Sequence, residues 1–378
     1  MLKDFLRPKK SSVSEELNRA NALFKKQKFK SAAKIYRRIL NENPTHFAAC
    51  ANLAVCLFEE EDFAASIPFF EAAAEQDSAN PWWDNYLSQA CQKTGDFERA
   101  IQKAFEAVVK SGGAPDHHLN LAYALYETSE EKGRDFIESI LRKWAEMYPD
   151  SGIVKQAVAA FETPENFEKA NPEYVEKLFD VFAPDFETVL KELGYKSPEM
   201  IAEKTARFWK KNNIKNPLVL DLGCGSGLFG IALKKKIKNC RIFGVDMSSK
   251  MLSEAAAKNV YEGLKKDEII HYLETSSEKF ETIVAADVLT YFGKLDSLME
   301  KVSDSLKKNG LFAFTISENT ASEKDYVLMP SSRFVHAPKY VEKLLLKNGF
   351  DIVSNEQKTL RKEGDKNVLG RLILARRK

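Results

Sequence analysis

The chain has 378 residues, 30% of them charged, and a formal net charge of +2. That length suits two domains better than one. The nearly balanced charge gives no general pull toward nucleic acid or an acidic membrane, and runs such as Lys234–Lys236 read as solvated helix faces. No apolar stretch reaches the ~18 residues of a membrane-spanning helix, and Met1 to Lys10 has too short an apolar core for a secretory signal. Cys50, Cys56, Cys91, Cys224 and Cys240 are scattered, with no C-x-x-C pair. Their spacing argues against zinc and a disulfide framework. His46, His117, His118 and His271 form no metal spacing either, so no metal and a cytoplasmic setting are expected.

The first half is periodic. Phe29, Phe63 and Phe97 stand 34 residues apart, each followed three residues later by a small side chain, Ala32, Ser66 or Ala100. Gly95 marks a turn between two helical patterns, and Pro44 closes the first unit. Gln27 and Glu61 occupy the corresponding turn positions in the first two units. This period resembles tetratricopeptide repeats, two antiparallel helices per unit. Three units are read at about 13–46, 47–80 and 81–114, with a degenerate fourth to about Ser151, stretched around Thr128–Arg134. The phenylalanines are read as repeat core, and of Trp82 and Trp83 one lines a concave groove while the other is structural. Such a solenoid offers an extended surface and no chemistry of its own. The resemblance implies a protein or peptide partner in the groove; support of the second half is the alternative.

From Phe161 to Pro172 the sequence is polar, holds two prolines and loses its period, which predicts a linker. An apolar helical run from Tyr174 to Tyr195 follows, then a helix over Ser197–Lys211 with Pro198 at its first turn.

Leu218-Val-Leu-Asp-Leu222 reads as a short buried strand, and Gly223, Gly225 and Gly227 follow at alternate positions before a helix. Strand, glycine turn and helix N-terminus make a nucleotide-type site at the carboxyl edge of a parallel sheet. A dinucleotide pattern would put its third glycine where Leu228 stands. The shifted frame Gly225-Ser-Gly227-Leu-Phe-Gly230 fits that pattern but starts two residues too far from the strand. Asp221 suits an amine-bearing or cationic ligand better than a pyrophosphate. A second strand, Arg241 to Asp246, ends in a carboxylate 19 residues after Gly227, placed to accept ribose hydroxyls. Met247-Ser-Ser-Lys-Met-Leu252 then opens a helix with Ser248 as its N-cap.

Asp221-Leu-Gly-Cys-Gly-Ser-Gly227 and Gly244-Val-Asp-Met-Ser resemble the first two motifs of class I S-adenosylmethionine-dependent methyltransferases. From about Tyr174 onward the order of elements, including Arg333-Phe-Val-His336, resembles bacterial methyltransferases that carry tetratricopeptide repeats. The implied fold is α + α/β: a tetratricopeptide α-solenoid, then a Rossmann-like seven-stranded class I methyltransferase domain. The boundaries are an N-terminal extension at 1–12, repeats at 13–151, a linker at 152–173 and the methyltransferase domain at 174–378.

The resemblance implies S-adenosylmethionine as cofactor and S-adenosylhomocysteine as product. It places Asp221, Gly223, Cys224, Gly225, Gly227, Asp246, Met247 and Asp287 around the cofactor, with Met247 against the adenine. Glu268 is taken for the adenine amino group, Asp267 being the competitor. In the segment before the core, Phe179, Phe182 and Phe186 cap the methionine end if it folds over as a lid; otherwise it is an ordinary amphipathic helix. The fourth strand ends Ala286-Asp-Val-Leu-Thr-Tyr291, without the D/N-P-P-Y string of enzymes that methylate base amines or glutamine amides. No nucleic acid is therefore expected. Asp287, Thr290 and Tyr291 either orient an acceptor or merely support the cofactor, and His336 is either a general base or a packed side chain. The acceptor is not implied. The competing readings are a non-catalytic cofactor-binding scaffold and an NAD-dependent oxidoreductase.

Overall fold

The 34-residue period becomes a series of helix pairs. In the computed structural model, residues 12–128, 134–164, 167–320, 322–363 and 366–378 are described. The pairs are α1 (Val13–Lys25) with α2 (Phe29–Glu42), α3 (Phe47–Glu59) with α4 (Phe63–Gln76), and α5 (Pro81–Thr94) with α6 (Phe97–Lys110); α7 (Pro115–Thr128) and α8 (Arg134–Met147) follow. The expected N-terminal extension, but for Ser12, and most of the insertion in the fourth unit lie outside the described residues. Ser12 and Glu15 form a reciprocal cap that starts α1. Ala32, Ser66 and Ala100 are fully buried, which lets the paired helices approach.

The turn positions obey one geometry with three different residues. Gln27, Glu61 and Gly95 have φ of 55°, 60° and 81°. At each, the next N–H reaches back to close the helix: Lys28 to the Leu23 carbonyl, Asp62 to Leu57 and Asp96 to Cys91. Phe29 and Phe63 pack edge-on against Phe24 and Phe58 across these turns, with centroids 5.5 and 5.2 Å apart. Trp83 is the structural member of its pair, its Nε1 donating to Asp77 at 3.1 Å. Trp82 is 46% exposed.

The chain divides into two compact units between Ile140 and Leu141, within α8. The second unit begins earlier than its composition suggests. Within the stretch expected as a linker, Gly152–Glu162 forms α9. Ala159 and Ala160 of this helix pack with Leu328 and Phe334, and Gln156 Nε2 donates to the Ser332 carbonyl at 3.3 Å. Farther on, Ala170 N–H donates to the Tyr291 carbonyl, while Gly293 and Lys294 N–H groups donate to the Glu168 carbonyl, all at 2.9 Å. The apolar face of α9 and the strand-like pairing of 168–170 make this a docked strap rather than a free linker.

The remaining elements are α10 (Pro172–Phe182), α11 (Phe186–Glu192), α12 (Ser197–Lys211), β1 (Leu218–Leu222), α13 (Leu228–Lys236), β2 (Arg241–Asp246), α14 (Ser249–Ala257), β3 (Gly263–Lys266), α15 (Ile269–Thr275) and β4 (Phe280–Ala285). A 3-10 turn (Leu289–Tyr291) leads to α16 (Asp296–Ser305), β5 (Leu306–Ser317), β6 (Tyr326–Leu328), β7 (Phe334–His336), α17 (Pro338–Lys347), β8 (Phe350–Glu363) and β9 (Lys366–Arg377). Seven strands form one sheet in the order β3-β2-β1-β4-β5-β9-β8, with β9 antiparallel to its neighbours. β6 and β7 make a separate antiparallel pair.

β1 is buried along its whole length, as a central strand covered on both faces must be. Ile201, Trp209, Val219, Ile242, Val284, Leu311 and Leu372 belong to the core on one side, and the Trp209 indole donates to Thr282 Oγ1 at 2.8 Å. The sequence suggests a helix to about Lys308 closed by Asn309-Gly310, yet β5 already starts at Leu306. Asn309 does take a left-handed backbone, with φ of 63°, but inside the strand.

A left-handed backbone costs a non-glycine residue about 1–2 kcal/mol. Glu61→Gly is therefore expected to stabilise the repeat unit by about 1 kcal/mol, and Gly95→Ala to destabilise it by a similar amount. Urea unfolding followed by circular dichroism checks both signs.

Candidate cofactor and active site

Parallel pairing brings the carboxyl ends of β1, β2 and β4 to one edge: Asp221 lies opposite Gly244 on one side and Val284 on the other. After β1 the chain turns through Gly223, Gly225 and Gly227 with φ of 61°, 51° and 89°. Cys224 is buried and its N–H donates to the Val245 carbonyl at 3.1 Å, which ties the turn to β2. At the end of β2, Asp246 Oδ2 accepts the Gly225 N–H at 2.8 Å and Oδ1 accepts the Ser248 N–H at 2.9 Å. Burial pushes the Asp246 carboxyl above its ordinary pKa, opposed by these backbone N–H groups and that of Met247. Met247 is half-buried beside it.

Asp221 is almost wholly buried, and burial lifts its carboxyl to about 7; the Tyr261 hydroxyl opposes that rise and Asp246 adds to it. The hydroxyl donates to Asp221 Oδ2 at 2.6 Å.

α10 and α11 lie on this edge through acidic side chains. Asp180 Oδ1 accepts the Ser248 hydroxyl at 2.6 Å, and Glu187 Oε1 accepts the Ser226 hydroxyl at 2.9 Å. Lys258 also pairs with Glu187 and bonds the Ser226 carbonyl. Glu176 pairs with Lys266 at 2.9 Å. The Phe179 ring stands 6.0 Å from Phe186 and 5.6 Å from Tyr291. The nearest atom to a Cβ built on Gly225 is Phe186 Cε1, at 3.8 Å. Phe179 and Phe186 thus converge on the turn, whereas Phe182, expected with them, ends α10 and stands 43% exposed.

At the end of β4, Asp287 adopts φ of 61° and its N–H donates to Thr315 Oγ1 at 2.9 Å. Its Oδ2 accepts from Arg361 Nη1 at 2.9 Å; the arginine is only 4% exposed. Arg361 follows a register shift in β8, and such a bulge re-aims a side chain. Tyr195, half-buried, donates to the Ala286 carbonyl at 3.4 Å, and desolvation with the nearby Asp287 raises its pKa well above the ordinary value. Sequence reasoning missed Arg361, Tyr195 and Tyr261, because each reaches the edge from an element with no motif of its own.

Two expected residues serve other purposes. His336 lies in β7 and is fully buried, its Nε2 donating to the carbonyls of Phe292 at 2.7 Å and Gly293 at 3.2 Å. Burial lowers its pKa to about 4. A ring whose proton is held by two main-chain oxygens, out of reach of solvent, is a packing element and not a general base. Glu268 caps α15, accepting the His271 N–H at 3.1 Å, and pairs with Lys169 at 2.8 Å. Asp267 stands closer to the β2 end, donating its N–H to the Asp246 carbonyl at 3.1 Å.

The edge therefore carries buried carboxylates at the ends of β1 and β2. That acceptor set fits an adenosine ribose and a cationic amino-acid end. It repels a pyrophosphate. Residues 220–312 match the family model of a methyltransferase domain, and residues 17–81 match that of a tetratricopeptide repeat. The chain thus joins tetratricopeptide repeats to a methyltransferase domain of Rossmann-like fold.

Among relatives, a carboxy-S-adenosyl-L-methionine synthase of Nautilia profundicola is 33% identical over 112 residues, 28% of this chain and 48% of the relative. A malonyl-[acyl-carrier protein] O-methyltransferase of Legionella pneumophila is 24% identical over 176 residues, 44% of this chain and 58% of the relative. The chain spans about half the length of these curated relatives. A solved magnesium protoporphyrin IX methyltransferase of Synechocystis covers 54% of this chain and 98% of its own, with 16% identity and a TM-score of 0.42.

The folded pKa of Asp221, about 7, exceeds the ordinary carboxyl value of 3.8. Its stabilising contribution is therefore full below pH 4 and lost as pH rises through about 7. Asp221→Asn is expected to raise the melting temperature of the ligand-free protein at pH 8 by roughly 5 °C and to narrow the gap at pH 5. Calorimetry at the two pH values checks this.

Proposed function

We propose that the chain transfers the methyl group of S-adenosylmethionine to an acceptor seated at the end of β4, with the repeats docking a protein or peptide. The observation that carries the reading is the Asp246 carboxylate at the end of β2, tied to the glycine turn by one oxygen and to the start of α14 by the other. In this reading Asp246 receives the ribose hydroxyls, Met247 lies along the adenine, and Asp267 accepts from its amino group in place of Glu268. Asp221 faces the amine of the methionine moiety. Cys224 and the glycines supply backbone.

Bound there, S-adenosylmethionine supplies a methyl group already activated by its sulfonium. The chain's own residues then have three tasks. Phe179, Phe186 and Tyr291 exclude water from the transfer line. Asp287, fixed by Arg361 and Thr315, orients the acceptor for in-line approach. Asp180 and Glu187 hold the lid on the nucleotide edge. With His336 committed to backbone carbonyls, Asp287 and Tyr291 are the polar side chains offered to the acceptor. For docking, Phe47 and Trp82 give the repeats exposed aromatic surface.

Calorimetric titration with S-adenosylmethionine, S-adenosylhomocysteine and NAD tests the cofactor site. The two sulfur nucleosides are expected to bind and NAD is not. Asp246→Ala should weaken S-adenosylhomocysteine at least a hundredfold with an unchanged far-ultraviolet spectrum. Unchanged affinity in that variant would overturn the assignment. Binding without transfer of labelled methyl to any component of a cell extract would favour a cofactor-dependent scaffold.

A further inference from the structure

Gly230 is unexplained by the reading above. It lies inside α13, has an ordinary helical φ and sits three residues beyond the glycine turn. A glycine there costs a helix about 1 kcal/mol relative to alanine, so something must forbid a Cβ. That something is Tyr261. A Cβ on Gly230 would fall 2.8 Å from each of Tyr261 Cε2, Cζ and the hydroxyl oxygen, and one on Gly227 would fall 3.0 Å from Cε2. The spacing Gly225-x-Gly227-x-x-Gly230, which mimics a dinucleotide fingerprint, is in its last two members a berth for one aromatic ring.

The ring carries a directed hydrogen-bond relay. The Gly230 N–H donates to the Tyr261 oxygen at 3.3 Å, and the Tyr261 hydroxyl donates to Asp221 Oδ2 at 2.6 Å. Because the phenol oxygen accepts from the first turn of α13, its own proton is directed to the carboxylate. The relay passes the positive end of a helix to a buried anion. It also engages Oδ2 and leaves Oδ1 as the ligand's atom. The titratable groups facing Asp221 are Tyr261, Asp246, Cys224 and Tyr195, none of them a cation.

We infer that Tyr261 is a positioning residue of the cofactor site: wedged beside the glycine turn, it orients Asp221 and holds it as the anion that receives the cofactor's ammonium group. The inference rests on the proposal that Asp221 faces that amine. It makes affinity for amine-bearing ligands fall as pH drops below about 7, where burial leaves the Asp221 carboxyl. Removing the hydroxyl removes the bond that opposes this rise, so the fall starts at higher pH.

The test is calorimetric titration of the full chain between pH 6 and 8.5 with two ligands. S-adenosylhomocysteine carries the ammonium group, whereas 5′-methylthioadenosine lacks the whole amino-acid end. Tyr261→Phe keeps the ring and deletes only the hydroxyl. It is expected to weaken S-adenosylhomocysteine about tenfold at pH 7, as befits a hydrogen bond to a charged group, and to move the pH midpoint upward. Methylthioadenosine should bind wild type and variant alike. Gly230→Ala, which displaces the ring, should reproduce the selective loss and covers the case in which the phenylalanine variant fails to fold. Equal affinities and superimposable pH curves for S-adenosylhomocysteine in wild type and variants would overturn the role of Tyr261. Equal loss of both ligands would reduce the tyrosine to a structural support. Failure of wild type to bind either ligand would instead overturn the cofactor site itself.

Discussion

The Asp246 carboxylate is the tie on which the second unit depends. One oxygen holds the Gly225 N–H and the other the Ser248 N–H, so a single side chain fixes both the turn after β1 and the start of α14. Buried carboxylates are tolerated only when their lone pairs are occupied, and main-chain N–H groups suit that purpose because they cannot rotate away. The price is a loop that must stay compact. Three successive left-handed glycines and the close passage of Cys224 beside β2 follow from it.

Around that tie, acidic side chains of α10 and α11 hold these helices to the edge, beside the aromatic contacts of Phe179 and Phe186. Asp180, Glu187 and Glu176 lie at intervals along α10 and α11 and reach Ser248, Ser226 with Lys258, and Lys266. The Glu176–Lys266 pair is largely solvent-exposed, and exposed pairs contribute at most about 1 kcal/mol. The attachment of α10 and α11 is thus spread over several separate polar contacts.

Legibility in the sequence followed locality. The repeat period, the glycine turn and the end of β2 were readable because their determinants lie within a few residues of one another. Even Gln27 and Glu61, which depart from the glycine habit, kept the turn because the helices on either side leave the backbone no other exit. The docked strap at 152–170 was missed because its hydrogen bonds go to residues 291–294 and 332, far away in sequence. His336 misled for a related reason: a histidine read in a loop looks available until the carbonyls of Phe292 and Gly293 are seen to hold it. Arg361 is a strand residue in all but its bulge, and no periodicity announces a bulge.

The strand order carries a consequence for how the molecule comes into being. β8 joins the sheet only through β9, which follows it in the chain and alone lies between it and β5. During ribosomal synthesis the first five strands can assemble while Asp287, after β4, still lacks its guanidinium partner. Arg361 can meet Asp287 only after the residues of β9 have emerged and docked. Pairings of such long sequence separation form late. The nascent chain can therefore complete the edge formed by β1 and β2 before the end of β4 acquires its buried ion pair, and that pair waits on synthesis of the last strands.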